Sequence, residues 1–275
     1  MRLQSGVLRD CFLEGPSFDR DGNLYVTNIP YGRIFGVSPE GDFILLASYD
    51  GEPNGLKIHK DGRLFIADHE QGLMLLDPRS GKVEAFLDRP HGERFKGLND
   101  LVFAKNGDLY FTDQGESGLQ DPTGRLYRLR AGGRLELLLD NVPSPNGLVL
   151  TPNEEILYLA ARNNAIWRVP LLPDGNLGRV GIFIQLSGGM GPDGMAMDAE
   201  GNLAVCRVDG LGLAVQPPGP ATCRDPILHR HRDDQRRLWR AGRQDALHHR
   251  KRDRHNPLGQ ARSVGQANVF AHVRG

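Results

Sequence analysis

The 275-residue sequence predicts an all-β protein built as a β-propeller, a ring of four-stranded blades around a central channel. One stretch recurs five times: a polar residue, an apolar run, a turn and an alternating strand, most clearly in LNDLVFAKNGDLYFTD from residue 98. Steps of 40, 45, 47 and 47 residues separate the polar positions, a period typical of propeller blades. These polar positions are Glu14, Asn54, Asn99, Asn146 and Asp193.

The blades follow one another along the chain, each with strands marked by alternation and by turn residues. Blade one is predicted over residues 14–50, with strands at 16–18, 24–27, 33–37 and 43–48. Blades two to four are predicted over 53–88, 98–140 and 145–186, and blade five over 192–215. Blade three has a longer insertion, GESGLQDPTG, between its second and third strands, which we expect to overhang the channel. Blade four replaces the usual glycine turn with Pro152-Asn153-Glu154.

The repeat stops at residue 215, so residues 1–215 are assigned to blades one to five. Residues 216–275 contain 13 Lys and Arg against 5 Asp and no Glu, a composition foreign to the rest. One interpretation is a basic tail that binds nucleic acid or acidic partners. We favour another: with suitable codons, this segment read one base out of phase contains TTNVAFGGPDGRTLFIT, a sixth copy of the repeat. The hypothesis is that a frameshift near codon 216 has replaced blade six with out-of-frame sequence.

Composition excludes several classes of protein. No run of 18 apolar residues occurs, and the first ten residues lack the apolar core of a signal peptide. Cys11, Cys206 and Cys223 have neither paired nor metal-type spacing. A nucleophile elbow, a phosphate loop and a paired-cysteine motif are all absent from the sequence. We therefore expect a cytoplasmic monomer or weak homo-oligomer, with no membrane or nucleic-acid partner.

The polar residues occupy equivalent places in a ring, so we expect them to converge at the axis. Glu14, Asn99, Asn146 and Asp193 supply two carboxylates and two amide oxygens. This hard donor set suits Ca²⁺, or Mg²⁺ or Mn²⁺, better than Zn²⁺. A lone PNG is usually a turn, and Asn54 is interpreted as one.

On the motifs EGP at Glu14, LND at Asn99, PNG at Asn146 and PDG at Asp193, the sequence resembles the gluconolactonase, regucalcin and luciferin-regenerating enzyme family of six-bladed propellers. It is similar, more distantly, to diisopropyl fluorophosphatase. The resemblance implies that Glu14, Asn146 and Asp193 hold one divalent cation, and that Asn99 is a further ligand or a substrate contact. The family arginine two residues before this Asn is Gly97 here, which departs from the regucalcin pattern.

The expected activity is metal-dependent hydrolysis of a small, sugar-acid type lactone, with water activated by the channel cation and by Asp193 as general base. A nucleophilic role for Asp193 is the alternative. We expect Asp100 to orient Asn99 or to bind a metal-bound water, and Glu116 of the insertion to contact substrate. His69 is interpreted as a solvated loop residue, with a place at the channel mouth as the alternative.

Two other functions fit the same pattern. An organophosphate or aryl-ester hydrolase would use the same cation, because a polarised phosphoryl group makes similar demands. A non-catalytic, protein-binding propeller would keep the cation as a structural element. The sequence lacks the Trp-Asp and Gly-His signatures of common scaffold propellers, which favours an enzyme.

Overall fold

The computed structural model describes residues 11–208 and 212–215. The first ten residues, on which the signal-peptide expectation rests, lie outside this part, as do Cys223 and the segment 216–275 with its frameshift hypothesis. Within the described part, the two helices are single 3-10 turns, Ile29–Tyr31 and Pro90–Gly92, and no helix is long and apolar enough to cross a bilayer.

The described residues form five antiparallel sheets, and within each sheet the strands follow sequence order. The inner strands begin within one residue of the predicted blade starts, and the predicted all-β, propeller-like arrangement is confirmed. The fifth sheet has three strands in this part of the chain. Blades one and two contain β1 Leu13–Phe18, β2 Leu24–Asn28, β3 Arg33–Val37, β4 Phe43–Ser48, β5 Pro53–Ile58, β6 Leu64–Asp68, β7 Gly72–Asp77 and β8 Lys82–Leu87. Blades three to five contain β9 Leu98–Phe103, β10 Leu109–Asp113, β11 Gly124–Leu129, β12 Leu135–Val142, β13 Pro145–Leu150, β14 Ile156–Ala161, β15 Ala165–Pro170, β16 Gly181–Gln185, β17 Pro192–Met197, β18 Leu203–Arg207 and β19 Gly212–Val215.

The first strands of successive blades contact one another: β1 with β5, β5 with β9, β9 with β13, and β13 with β17. Each first strand is therefore the innermost strand of its blade. This arrangement is propeller-like, with five sheets around a common axis.

The core is divided between the blades. Four clusters of buried apolar residues occur in the described part, one at each contact between successive blades. Between blades two and three, Phe65 and Leu73 pack with Phe111 and Tyr127. The rings of Phe111 and Tyr127 are stacked, with centroids 5.4 Å apart. Each blade thus buries its apolar face only against its neighbours.

The turn before the second strand is left-handed in every described blade. In blades one, two, three and five this position is Gly22, Gly62, Gly107 or Gly201, with φ between 86° and 90°. In blade four it is Glu154, with φ of 59°. Glycine adopts this conformation without steric cost, whereas Glu154 does so at about 1–2 kcal/mol. The departure that the sequence showed in blade four therefore preserves the turn.

Candidate metal centre

Each inner strand is irregular at its polar residue. The register of β1 with β2 shifts between Glu14 and Ser17, and the other four inner strands shift at the equivalent place. A β-bulge takes a residue out of the regular ladder and re-aims its side chain. The repeat therefore turns one polar side chain of every described blade towards the axis.

These side chains line one cavity. Its walls include Glu14, Asn99, Asn146 and Asp193, the four predicted ligands, together with the predicted neighbour Asp100. The cavity is large enough to hold a water molecule. The four side chains that were expected to converge, contributed by four blades, are thus brought together.

Asn54 also lines this cavity. Interpreting it as no more than a turn residue was therefore incomplete: Asn54 is the polar position of blade two and lies in the ring with the others. The hydroxyl group of Thr27 in blade one donates a hydrogen bond of 2.7 Å to the backbone carbonyl of Asn54. This bond joins blade one to blade two beside the cavity.

Glycine follows the polar residue because the next inner strand approaches at backbone contact. A Cβ on Gly55 would lie 2.7 Å from the carbonyl oxygen of Asn99. A Cβ on Gly147 would lie 2.4 Å from the carbonyl oxygen of Asp193. Both distances are shorter than real Cβ contacts, so a side chain at either position would push two blades apart. The close approach keeps the polar side chains of neighbouring blades within reach of one another.

Blade three has Asp100 where the other four blades have glycine. The backbone N–H of Leu101 donates to Oδ1 of Asp100 at 2.8 Å, and the N–H of Leu148 in blade four also hydrogen-bonds this carboxylate. Burial raises the pKa of Asp100, while the charge of Lys57 and these N–H groups oppose the shift. Asp100 therefore joins blades three and four and adds a third carboxylate to the cavity.

Crowding of acidic groups dominates the electrostatics of the cavity. Burial raises the pKa of Glu14 well above its usual value, and the charges of Asp193 and Asp100 raise it further. Burial also raises the pKa of Asp193 to about 6, with a smaller contribution from Asp100. The charge of Arg162 and a hydrogen bond with Asn146 act in the opposite direction. A positive ion in the cavity would relieve this repulsion.

Hydrogen bonds orient Asn99. Its Nδ2 donates to Oε1 of Gln114 at 2.9 Å, and Nε2 of Gln114 donates to Oγ of Ser144 at the same distance. Because its amide nitrogen is engaged by Gln114, the amide oxygen of Asn99 remains available to an ion or a substrate. The sequence analysis missed Gln114; the signal that could have found it is its place directly after the second strand of its blade.

The donor chemistry fits a hard cation. In the part of the chain that is described, no three His, Cys, Asp or Glu side chains have a geometry that could hold a metal, so an ion would also need amide oxygens. Carboxylate and amide oxygens together, without sulfur or imidazole, are the donors that Ca²⁺ takes in proteins. The four predicted ligands meet this requirement.

Two of the sequence-selected residues lie outside the cavity wall. Glu116 is fully exposed in the blade-three insertion, and its Oε1 lies 4.0 Å from Nε2 of His69. The side chain of His69 is only 27% exposed, and its ring lies against Gly97. The interpretation of His69 as a solvated loop residue is therefore wrong, because the absence of a side chain at Gly97 leaves room for the ring.

Comparison with known proteins identifies the family of this chain. The family model described as "SMP-30/Gluconolactonase/LRE-like region" matches residues 12–219 of this chain. Gluconolactonase of Zymomonas mobilis subsp. mobilis is 32% identical over 233 residues, which cover 72% of this chain and 65% of the relative. Lactonase drp35 of Staphylococcus aureus strain MRSA252 is 31% identical over 206 residues, which cover 70% and 62%.

Among solved structures, a calcium-binding protein, regucalcin, from Agrobacterium tumefaciens strain C58 has a TM-score of 0.63 at 24% identity, covering 77% of this chain and 76% of that one. At this identity the likeness shows the fold. The matches cover less than two thirds of the length of the Zymomonas and Staphylococcus relatives. The family match itself covers well over half of this chain. The chain therefore belongs to the SMP-30/gluconolactonase/LRE-like family.

Proposed function

We propose that the protein is a metal-dependent carboxylic-ester hydrolase that opens a small lactone of the sugar-acid type. One divalent cation, Ca²⁺ in first place with Mg²⁺, Mn²⁺ or Zn²⁺ as alternatives, is held by Glu14, Asn99, Asn146 and Asp193. The observation that carries the proposal is that these four side chains, from four different blades, line one buried, acidic cavity.

The relatives support the proposal. Two of them are named gluconolactonase and lactonase, and the regucalcin structure is described as that of a calcium-binding protein. The cavity contributes the acidic, oxygen-rich donor set that such an ion prefers.

In the proposed mechanism, Glu14, Asn99, Asn146 and Asp193 would hold a divalent cation, which would supply polarisation of the lactone carbonyl and acidification of water. Asp193 takes the proton of the attacking water and returns it to the ring oxygen as the ester bond breaks. Burial raises the pKa of Asp193 in the metal-free protein, and coordination to the cation would lower it, so Asp193 would be a weak base assisted by the acidity of the water. Asn99, held by Gln114, orients the substrate carbonyl, while Asp100 hydrogen-bonds the water. Glu14 balances charge, and Glu116 contacts the substrate from the insertion.

The proposed complete architecture has six blades, with one more blade after the five described sheets. The sixth copy of the repeat in the shifted reading frame supports this count, as does the family resemblance. Sequencing the gene from independent DNA tests the frameshift: an intact frame through codon 216 would rule it out. We further propose a cytoplasmic monomer or weak homo-oligomer without nucleic-acid or membrane partners.

Turnover of glucono-1,5-lactone by the protein expressed from the verified reading frame, followed by acid release, tests the function. We expect turnover with added Ca²⁺ or Mn²⁺, loss with EDTA, and a fall of about 10²- to 10⁴-fold in Asp193→Asn. Asp198→Asn is the matched control, because Asp198 is exposed in the turn after the same strand and serves only that turn.

Three results would contradict the proposal. Equal activity of Asp193→Asn and Asp198→Asn would remove Asp193 from the chemistry. Cleavage of a phosphotriester but not of the lactone would assign the site to organophosphate hydrolysis. A protein that binds Ca²⁺ and turns over neither substrate would be the non-catalytic propeller.

A further inference from the structure

The residue that follows the second strand has the same place in three consecutive blades: His69 after β6, Gln114 after β10 and Arg162 after β14. In each case its backbone N–H donates a hydrogen bond of 2.8–3.0 Å to a carbonyl just before the inner strand of its own blade. These three residues, the rim residues, are therefore fixed at the end of the channel where the polar side chains converge.

Each rim side chain crosses to the next blade. Gln114 donates to Ser144, which lies two positions before the cavity residue Asn146. The equivalent positions in the blades next to His69 and Arg162 are Gly97 and Gly191, two positions before Asn99 and Asp193. The absence of a side chain there makes room for a long rim side chain to lie over the neighbouring blade.

The ring of His69 fills the place where a side chain on Gly97 would begin. A Cβ built on Gly97 would lie 2.4 Å from Cε1 of His69. Gly97 is itself held in place, because Oδ1 of Asp113 accepts a hydrogen bond from its N–H at 2.8 Å. Nε2 of His69 lies 4.0 Å from Oε1 of Glu116, too far for a direct hydrogen bond. The imidazole is thus positioned on the backbone beside Asn99, with 27% of the side chain exposed.

Arg162 lies in the same way over blade five. A Cβ built on Gly191 would meet Cα and Cγ of Arg162 at 3.5 and 3.9 Å, which is ordinary contact. Its Nε is buried and has no hydrogen-bond partner among the described residues. Its positive charge acts on Asp193. The guanidinium therefore acts electrostatically on the carboxylate proposed as general base, and at least one of its nitrogens has no partner among the described residues.

We propose that His69 and Arg162 are specificity-determining residues, which bind the hydroxyl groups of a polyhydroxylated lactone on opposite sides of the pair formed by Gln114 and Asn99. This inference rests on the proposed function and names its substrate class. Imidazole and guanidinium nitrogens can donate hydrogen bonds to hydroxyl groups, whereas an alkyl lactone has no hydroxyl groups to accept them. The third rim residue, Gln114, is already engaged by Asn99 and Ser144 and acts as a positioning residue.

The test compares glucono-1,5-lactone with δ-valerolactone, which has the same ring without hydroxyl groups, using the full chain with Ca²⁺. The variants are His69→Phe, which keeps a ring over Gly97, and Arg162→Met, which keeps the aliphatic contact with Gly191. His59→Phe is the control, because His59 packs on Phe65 and Phe103 away from the cavity. Any general effect on catalysis cancels in the ratio of the two kcat/KM values.

We expect this ratio, polyhydroxylated over alkyl, to fall about 10- to 100-fold in each rim variant and to stay unchanged in His59→Phe. An unchanged ratio in both rim variants would overturn the inference. Binding of D-gluconate, followed by NMR, separates the two proposals if neither lactone is turned over. Weaker binding of D-gluconate by the rim variants than by the parent would then support the binding role of His69 and Arg162, although the proposed lactonase activity would be wrong. Equal binding, or no binding by the parent, would overturn it.

Discussion

The inner and outer strands of one blade obey different rules. In blade one, Glu14 of the inner strand β1 lies in a buried, acidic cavity, and the pairing of β1 with β2 is irregular at this residue. The outer strand β4 exposes Phe43, Ile44 and Leu45, each more than half exposed. The inner edge thus depends on individual side chains and on backbone contacts, whereas the outer edge depends on strand pairing and little on which side chains it exposes. Substitutions matched between the two edges measure this difference.

The largest effect is expected from the carboxylates. Glu14→Gln should weaken Ca²⁺ binding about 100-fold or more, because it removes a charged donor from the cavity. The same change should raise the thermal midpoint of the metal-free protein, since it removes a buried charge that repels Asp193 and Asp100. Glu84→Gln on β8 is the control, because Glu84 is exposed and forms a surface ion pair with Lys82 at 2.7 Å. Calorimetric titration and melting curves provide the two measurements, and a Glu14→Gln protein that binds Ca²⁺ normally would remove Glu14 from the site.

Alanine substitutions at two glycines of blade four distinguish the effect of a steric clash with the backbone from the effect of reduced chain flexibility. Gly147→Ala on the inner strand should destabilise the fold by about 3 kcal/mol, because its Cβ would press on the carbonyl of Asp193. Gly181→Ala on the outer strand should change stability by less than about 0.5 kcal/mol, because nothing lies within 4 Å of its Cβ. Urea unfolding of the two variants tests this, and equal losses would show that the inner edge tolerates a side chain.

Acidity should affect the inner edge in a defined direction. The folded state raises the pKa of Asp193 from 3.8 to about 6, so the folded, metal-free protein holds this proton more tightly than the unfolded chain. Its contribution to stability is therefore complete below about pH 4 and is lost as the pH rises through 6, an effect of about 3 kcal/mol. Added Ca²⁺ should restore stability at pH 7 and have little effect at pH 4. A metal-free protein whose thermal midpoint rises from pH 4 to pH 7 would contradict this assignment.

The smallest effect is expected at the outer edge. Ile44→Thr on β4 should change the free energy of unfolding by less than about 0.5 kcal/mol, because this side chain is 60% exposed. Chemical denaturation measures the change. A loss of 2 kcal/mol or more would show that the outer strand is covered in solution.

Sequence patterns predicted the local features of this molecule. The repeat located all five described blades, and its polar positions identified Glu14, Asn99, Asn146 and Asp193, because both depend on spacing along one chain. The repeat places Gln114 and Arg162 directly after the second strands of their blades, but it does not show that they act on Asn99 and Asp193, which lie some distance along the chain. Asn54 was underestimated for a similar reason: its motif is that of a turn, and only the ring shows that it faces the cavity.

The backbone contacts at Gly55 and Gly147 have a consequence for how such rings diversify. Since the nearest contacts between successive inner strands there are made mostly by main-chain atoms, the diameter of the bore depends little on which polar residue each blade presents. Donors can then be exchanged one at a time without re-packing the scaffold. A ring of this kind can change the chemistry of its cavity while its architecture stays the same.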